Sequence, residues 1–151
     1  MLYITALKNK LLIFLLLALI VIGETRIAAA ETCQIAITAW NSSDVDFEKP
    51  VTFHMKVATM WESSEKLKRN ETWTRVLSFD CLPTGSFLNA SGTATSVYTP
   101  EPLGCRSVQF TATPGKPVAI EYEATIFKPS STGNAHWFEN SCTITVKGRG
   151  E

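Results

Sequence analysis

The chain has little of what enzymes and nucleic-acid binders are built from. It holds two histidines, His54 and His136, and none of its four cysteines lies within two to four residues of another, so the sequence lacks the ligand spacing of a zinc knuckle. Neither sign of charge is in excess, with 14 basic and 14 acidic side chains. No segment carries a helical period, no internal repeat is present, and after residue 22 no long apolar run occurs. No nucleophile with a base, no pair of carboxylates and no metal cluster stands out. The expectation is a protein that is not an enzyme and needs no cofactor.

What is present begins with an export signal. Lys8 and Lys10 precede an apolar run at residues 11–22, and Ala28-Ala29-Ala30 follows shortly after. That order matches the basic, hydrophobic and cleavage regions of a signal peptide. The run has 12 residues, well short of the roughly 20 a spanning helix needs. Cleavage after Ala30 divides the chain into a signal peptide at 1–30 and one secreted domain at 31–151, long enough to bury a core of its own. Setting aside Lys8, Lys10, Arg26 and Glu24 leaves 11 basic and 13 acidic residues, a net of −2, which removes the electrostatic case for a nucleic-acid partner. Cys33 is not preceded by the small-residue box of a lipoprotein. The product is therefore expected to be extracellular or periplasmic, without a membrane span.

All four cysteines, Cys33, Cys81, Cys105 and Cys142, fall in the exported part, and an even number in an oxidising compartment implies disulfides. Three pairings are open. Cys33 opens the first strand-like run and Cys142 the last, while Cys81 ends one run and Cys105 begins another. The favoured pairing is Cys33 with Cys142 and Cys81 with Cys105.

From Thr32 onward apolar residues recur with period two, the signature of strands with one buried face. Cys33, Ile35, Ile37 and Ala39 point one way in the first run, and Val51, Phe53, Met55, Val57 and Trp61 in the second, read as residues 50–61. Residues 62–71 are polar except Leu67 and read as an exposed connection. Alternation resumes at 73–81, where Arg75 falls on the inward phase and must snorkel or pair. Further strands are expected at 92–98, 107–113, 118–127 and 138–146, separated by turns such as Pro83-Thr84-Gly85 and Pro114-Gly115-Lys116-Pro117. Seven short strands in one domain predict an all-β, immunoglobulin-like or fibronectin type III-like sandwich, with the fibronectin-like variant preferred.

Several residues are candidates for recognition. Trp40, Met60, Val76, Val97 and Phe127 lie on outward phases, where large apolar side chains suggest a second buried surface that serves a partner, a dimer, or the edge of the same core. His136-Trp137-Phe138 reads as an aromatic loop near the surface, serving either simple packing or binding. The binding set is accordingly Trp40, Phe127, His136 and Trp137. His54 reads as an exposed strand histidine. Asp44, Asp46 and Glu48 read as a solvated acidic turn, since the glycine and ligand spacing of a calcium loop are missing. Asn41, Asn70 and Asn89 head glycosylation sequons, all placed in turns or loops. Residues 62–71 are long enough to act as a hinge for exchange between two copies.

In overall plan (signal peptide, mature domain of this size, all-strand pattern and internal disulfides) the chain resembles the secreted interleukin receptor mimic proteins of pathogenic enterobacteria. That resemblance implies a fibronectin-type fold, a domain-swapped homodimer, and binding of host cytokines in place of their receptors, a virulence function. Pro100-Glu101-Pro102-Leu103-Gly104-Cys105 and the strand around Cys142 also resemble stretches of the MD-2-related lipid-recognition domains, which implies a lipid-binding sandwich as the alternative. A pilus-type subunit that donates a strand is a third class. Only Glu31 and Thr32 precede the first strand in the expected mature chain.

Overall fold

The computed structural model describes residues 30–43, 49–127 and 140–148. The chain divides between Ala30 and Glu31, and the fold below belongs to Glu31–Glu151. Eight strands follow in order: β1 Thr32–Asn41, β2 Val51–Val57, β3 Trp61–Leu67, β4 Thr72–Asp80, β5 Leu88–Thr95, β6 Leu103–Phe110, β7 Val118–Thr125 and β8 Ser141–Lys147. They form two four-stranded sheets, ordered β4-β1-β7-β8 and β3-β2-β5-β6. All named pairings are antiparallel except β1 with β7, which run parallel. The protein is thus an all-β sandwich, with eight strands among the described residues, one more than the pattern predicts. Among the described residues no helix is long and apolar enough to cross a membrane.

The core lies between the sheets and is made by the alternation already visible in the sequence. Ile35, Ile37 and Ala39 of β1, Val51, Phe53, Met55 and Val57 of β2, and Val118, Ile120, Tyr122 and Ala124 of β7 are all buried. Burying each large aliphatic or aromatic side chain contributes about 1.5–3 kcal/mol. A polar contact crosses the middle of this core. The Tyr122 ring crosses from β7, and its hydroxyl bonds to the carbonyls of Lys56 on β2 and Ser91 on β5, each at 3.1 Å. Burial pushes this phenol from its ordinary 10 up to about 12, against a smaller downward pull from the Lys56 bond. Gly92 makes room for the ring: a Cβ there would lie 2.5 Å from the His54 carbonyl oxygen and 3.0 Å from Tyr122 Cε1.

The additional strand is β3, inside the stretch read as an exposed connection. Its residues Trp61–Leu67 pair with β2 from Val57↔Trp61 to Val51↔Leu67. Along this open side of the sandwich the inward positions of β3 ahead of Leu67 are only half-buried, so Ser63 and Glu65 can occupy them. The second run ends at Val57 because Ala58, at φ 46°, turns the chain into a three-residue hairpin loop. The β3–β4 connection is only residues 68–71, tightened by Asn70 at φ 58° and by the Lys68 amide donating to Glu71 Oε2 at 2.7 Å. No ten-residue hinge exists at this place.

β5 and β6 also shift. β5 starts at Leu88, not at residue 92, so Asn89 lies within a strand and not in a loop. Its core face is Leu88, Ala90, Gly92 and Ala94, of which Gly92 leaves space for the Tyr122 ring. β6 begins at Leu103 and carries an extra residue opposite β5, where the register passes from Gly92↔Cys105 to Ala90↔Val108. Such a bulge inverts the alternation, which brings both Cys105 and Phe110 to the core side.

Both disulfides form, with pairings different from those favoured on sequence. Cys33 bonds Cys81, and Cys105 bonds Cys142. The reason is topological. β1 and β8 flank β7 on opposite sides, so Cys33 cannot reach Cys142. Instead the β1–β4 register, Thr32↔Asp80 and Cys33↔Phe79, brings Cys81 beside Cys33. Cys105 on β6 and Cys142 on β8 tie the edge strands of the two sheets together. β6 and β8 lie close along that side of the sandwich, whereas β3 and β4 make little contact along the other. There Trp61 and Trp73 stack with ring centroids 6.1 Å apart.

Candidate binding face

The outer face of the β4-β1-β7-β8 sheet carries the most distinctive surface. Trp40, at the end of the inner strand β1, is 41% exposed. Antiparallel pairing sets Thr72 of β4 opposite it on one side, and parallel pairing sets Glu123 of β7 on the other. One step along β1, Thr38 lies between Thr74 and Glu121, and Glu121 faces Thr145 of β8. Thr38, Trp40, Thr72, Glu121, Tyr122, Glu123 and Thr145 line a groove of about 320 Å³. Trp40 supplies its aromatic end, and the threonine and glutamate side chains supply its polar groups. Glu121 is held by Lys147, whose Nζ lies 2.7 Å from one carboxylate oxygen and donates to the other at 3.0 Å. The Thr38 and Thr74 hydroxyls are 3.4 Å apart, and Val76, 59% exposed, extends the face toward its far end beside Ala36.

Three further hollows lie elsewhere on the protein, around Pro100–Gly104, around Lys49 and Val97, and around His54 and Lys56. None of these three is lined by a tryptophan, tyrosine or phenylalanine. His54 is exposed on the outer face of β2, where Nδ1 shares a hydrogen bond with the Ser64 hydroxyl. No group of three or more metal-ligating side chains occurs among the described residues.

The structure separates the residues that the sequence grouped. Trp40 and Val76 share one face, whereas Met60 sits in the β2–β3 turn and Val97 in the turn after β5. Phe127 is half-buried beyond β7, its amide donating to Asn140 Oδ1 at 2.7 Å. His136 and Trp137, and the acidic turn of Asp44, Asp46 and Glu48, lie outside the described residues. Glu121 and Glu123 alternate with the core residues Ile120 and Tyr122, but their meeting with Trp40 depends on the parallel β1–β7 pairing. No local signal announces that pairing.

The sequons also separate. Asn41 belongs to β1, not to a turn, and is wholly buried. Its Nδ2 donates to the Leu67 carbonyl at 3.0 Å, and its Oδ1 accepts the Ser43 amide at 3.1 Å. Ser42 and Ser43 continue the knot. The Ser42 amide donates to the Ala124 carbonyl at 3.0 Å, and Ser43 Oγ accepts the Ile126 amide at 2.9 Å. In the folded domain Asn41 is a fastener that joins β1, β3 and β7. Asn70 and Asn89 are exposed.

No protein-family model matches the chain, and no curated protein and no solved structure matches it.

Proposed function

We propose that the domain is an exported protein-recognition module that docks a partner through the outer face of its β4-β1-β7-β8 sheet. The observation that carries this reading is Trp40, a large aromatic side chain kept 41% exposed on an inner strand of a packed sheet. Tryptophans in such positions anchor protein interfaces. In its finer form, which rests on the resemblance to interleukin receptor mimic proteins, the partner is a host cytokine and the working unit a homodimer. Tyr122 favours protein binding over lipid carriage: its ring and hydroxyl span the space between the sheets that a lipid would have to enter.

Native mass spectrometry of the exported, oxidised protein and a binding screen against immobilised cytokines test the reading together. The expected outcome is a dimer without bound lipid whose cytokine binding falls at least tenfold in Trp40→Ala. A monomer carrying organic-extractable ligand, or binding indifferent to Trp40→Ala, overturns it.

A further inference from the structure

We infer that the notch between Trp40 and Glu123 receives one cationic side chain, an arginine or a lysine, from the partner protein. This inference rests on the binding face just proposed and specifies its chemistry. Trp40 and Glu123 are register neighbours on adjacent strands, and adjacent strands lie roughly 4.8 Å apart. A cation seated between them can meet the face of the indole and the carboxylate at once. The two carboxylates of the groove differ in state. Glu121 is already engaged by Lys147, whereas the half-buried Glu123 has no ion pair or hydrogen bond from its side chain among the described residues.

Charge complementarity therefore selects the occupant. An apolar side chain laid on Trp40 would strip water from the Glu123 carboxylate and give nothing back, a costly arrangement. A guanidinium or ammonium group replaces that water with a charge-assisted hydrogen bond and gains the attraction of the ring face. The groove, at about 320 Å³, sits at the lower end of the roughly 300–1,000 Å³ range of ligand pockets, a size suited to one long side chain. The hydroxyls of Thr38, Thr72 and Thr145 add polar groups around its wall.

The test uses N-acetyl-arginine methylamide as the probe, titrated into the exported protein labelled with nitrogen-15. Its neutral isostere N-acetyl-citrulline methylamide is the control. The expected result is a saturable shift of the Trp40 indole N–H and of amides near residues 40 and 123, with a dissociation constant in the millimolar range. The citrulline compound should be at least tenfold weaker, and Glu123→Gln should weaken the arginine probe roughly tenfold. Equal binding of the two compounds, shifts located away from Trp40, or an unchanged response in Glu123→Gln overturns the inference. The same variants assayed on a bound cytokine separate its failure from that of the binding face. If Trp40→Ala abolishes binding and Glu123→Gln leaves it intact, the cation notch is refuted while the face stands. If neither matters, the face itself is refuted.

Discussion

Replacing Tyr122 by phenylalanine tests the cross-sheet contact directly, because it keeps the ring over Gly92 and removes only the hydroxyl. At neutral pH the change deletes the bonds to the Lys56 and Ser91 carbonyls. Losing a buried hydrogen bond and leaving its acceptors short of a donor costs about 2 kcal/mol. For a domain of this length that amounts to a fall in Tm of about 8 °C, or a urea midpoint lower by about 1 M with unchanged slope. The pH dependence supplies a second, independent reading. The folded phenol ionises at about 12 and the unfolded one near 10. Below pH 10 both states hold the proton and the stabilisation is complete. Between pH 10 and 12 the unfolded chain releases it first, so wild-type stability falls as pH rises, by about 2 to 3 kcal/mol at about 1.4 kcal/mol per unit. The phenyl ring of the Tyr122→Phe variant cannot titrate, and lysines contribute equally to both proteins. The difference between wild type and Tyr122→Phe should therefore shrink to near zero across that window in urea titrations followed by circular dichroism. A constant difference from pH 8 to 12, or no difference at pH 7, would refute the buried, bonded phenol.

Three other outcomes follow from the fold. Asn41→Ala orphans the Leu67 carbonyl and the Ser43 amide and should lower stability by roughly 3 kcal/mol in the same unfolding assay. Non-reducing peptide mapping should recover Cys33 linked to Cys81 and Cys105 linked to Cys142. The double variant Cys105→Ser with Cys142→Ser should lose about 4 kcal/mol, the loop-closure value for a separation of 37 residues. A Cys33–Cys142 peptide would contradict the sheet order. Arg75→Val should leave the monomer fold intact yet promote higher-order association in sedimentation velocity, because a charge on the core-side phase of edge strand β4 discourages pairing with foreign strands.

The sheets were largely legible because their buried faces obey period two: Ile35, Ile37, Phe53, Met55, Ile120 and Tyr122 all lie where the alternation puts them. The features that escaped have physical causes. β3 was hidden because an edge strand with Ser63 and Glu65 inward lacks a hydrophobic stripe. The start of β5 was hidden because Leu88 is the one large side chain on its core face, and Ala90, Gly92 and Ala94 give the alternation little contrast. Cys105 and Phe110 fall on opposite phases of the sequence, and the bulge that reconciles them depends on pairing with β5. The disulfides escaped because strand order is a long-range property. Trp40 was recognisable as an outlier, but its carboxylate neighbour was not, since the parallel β1–β7 pairing joins residues some eighty positions apart.

That long span gives the Asn41 fastener a history as well as a place. On the growing chain Asn41-Ser42-Ser43 is an open acceptor for oligosaccharide; the Asn41 Nδ2 finds its partner at Leu67, 26 residues later, and the Ser42 amide finds its own at Ala124 of β7, 82 residues later. At about 5–20 residues per second, roughly 4 to 16 seconds of synthesis separate the tripeptide from its partner in β7. In a cell that glycosylates exported chains, enzyme and fold would compete for the same nitrogen, and a glycan on it finds no room at a side chain that is wholly buried in the folded domain. Such a host would yield two populations from one gene: a bare, folded one, and a sugared one whose first strand can never be tied in.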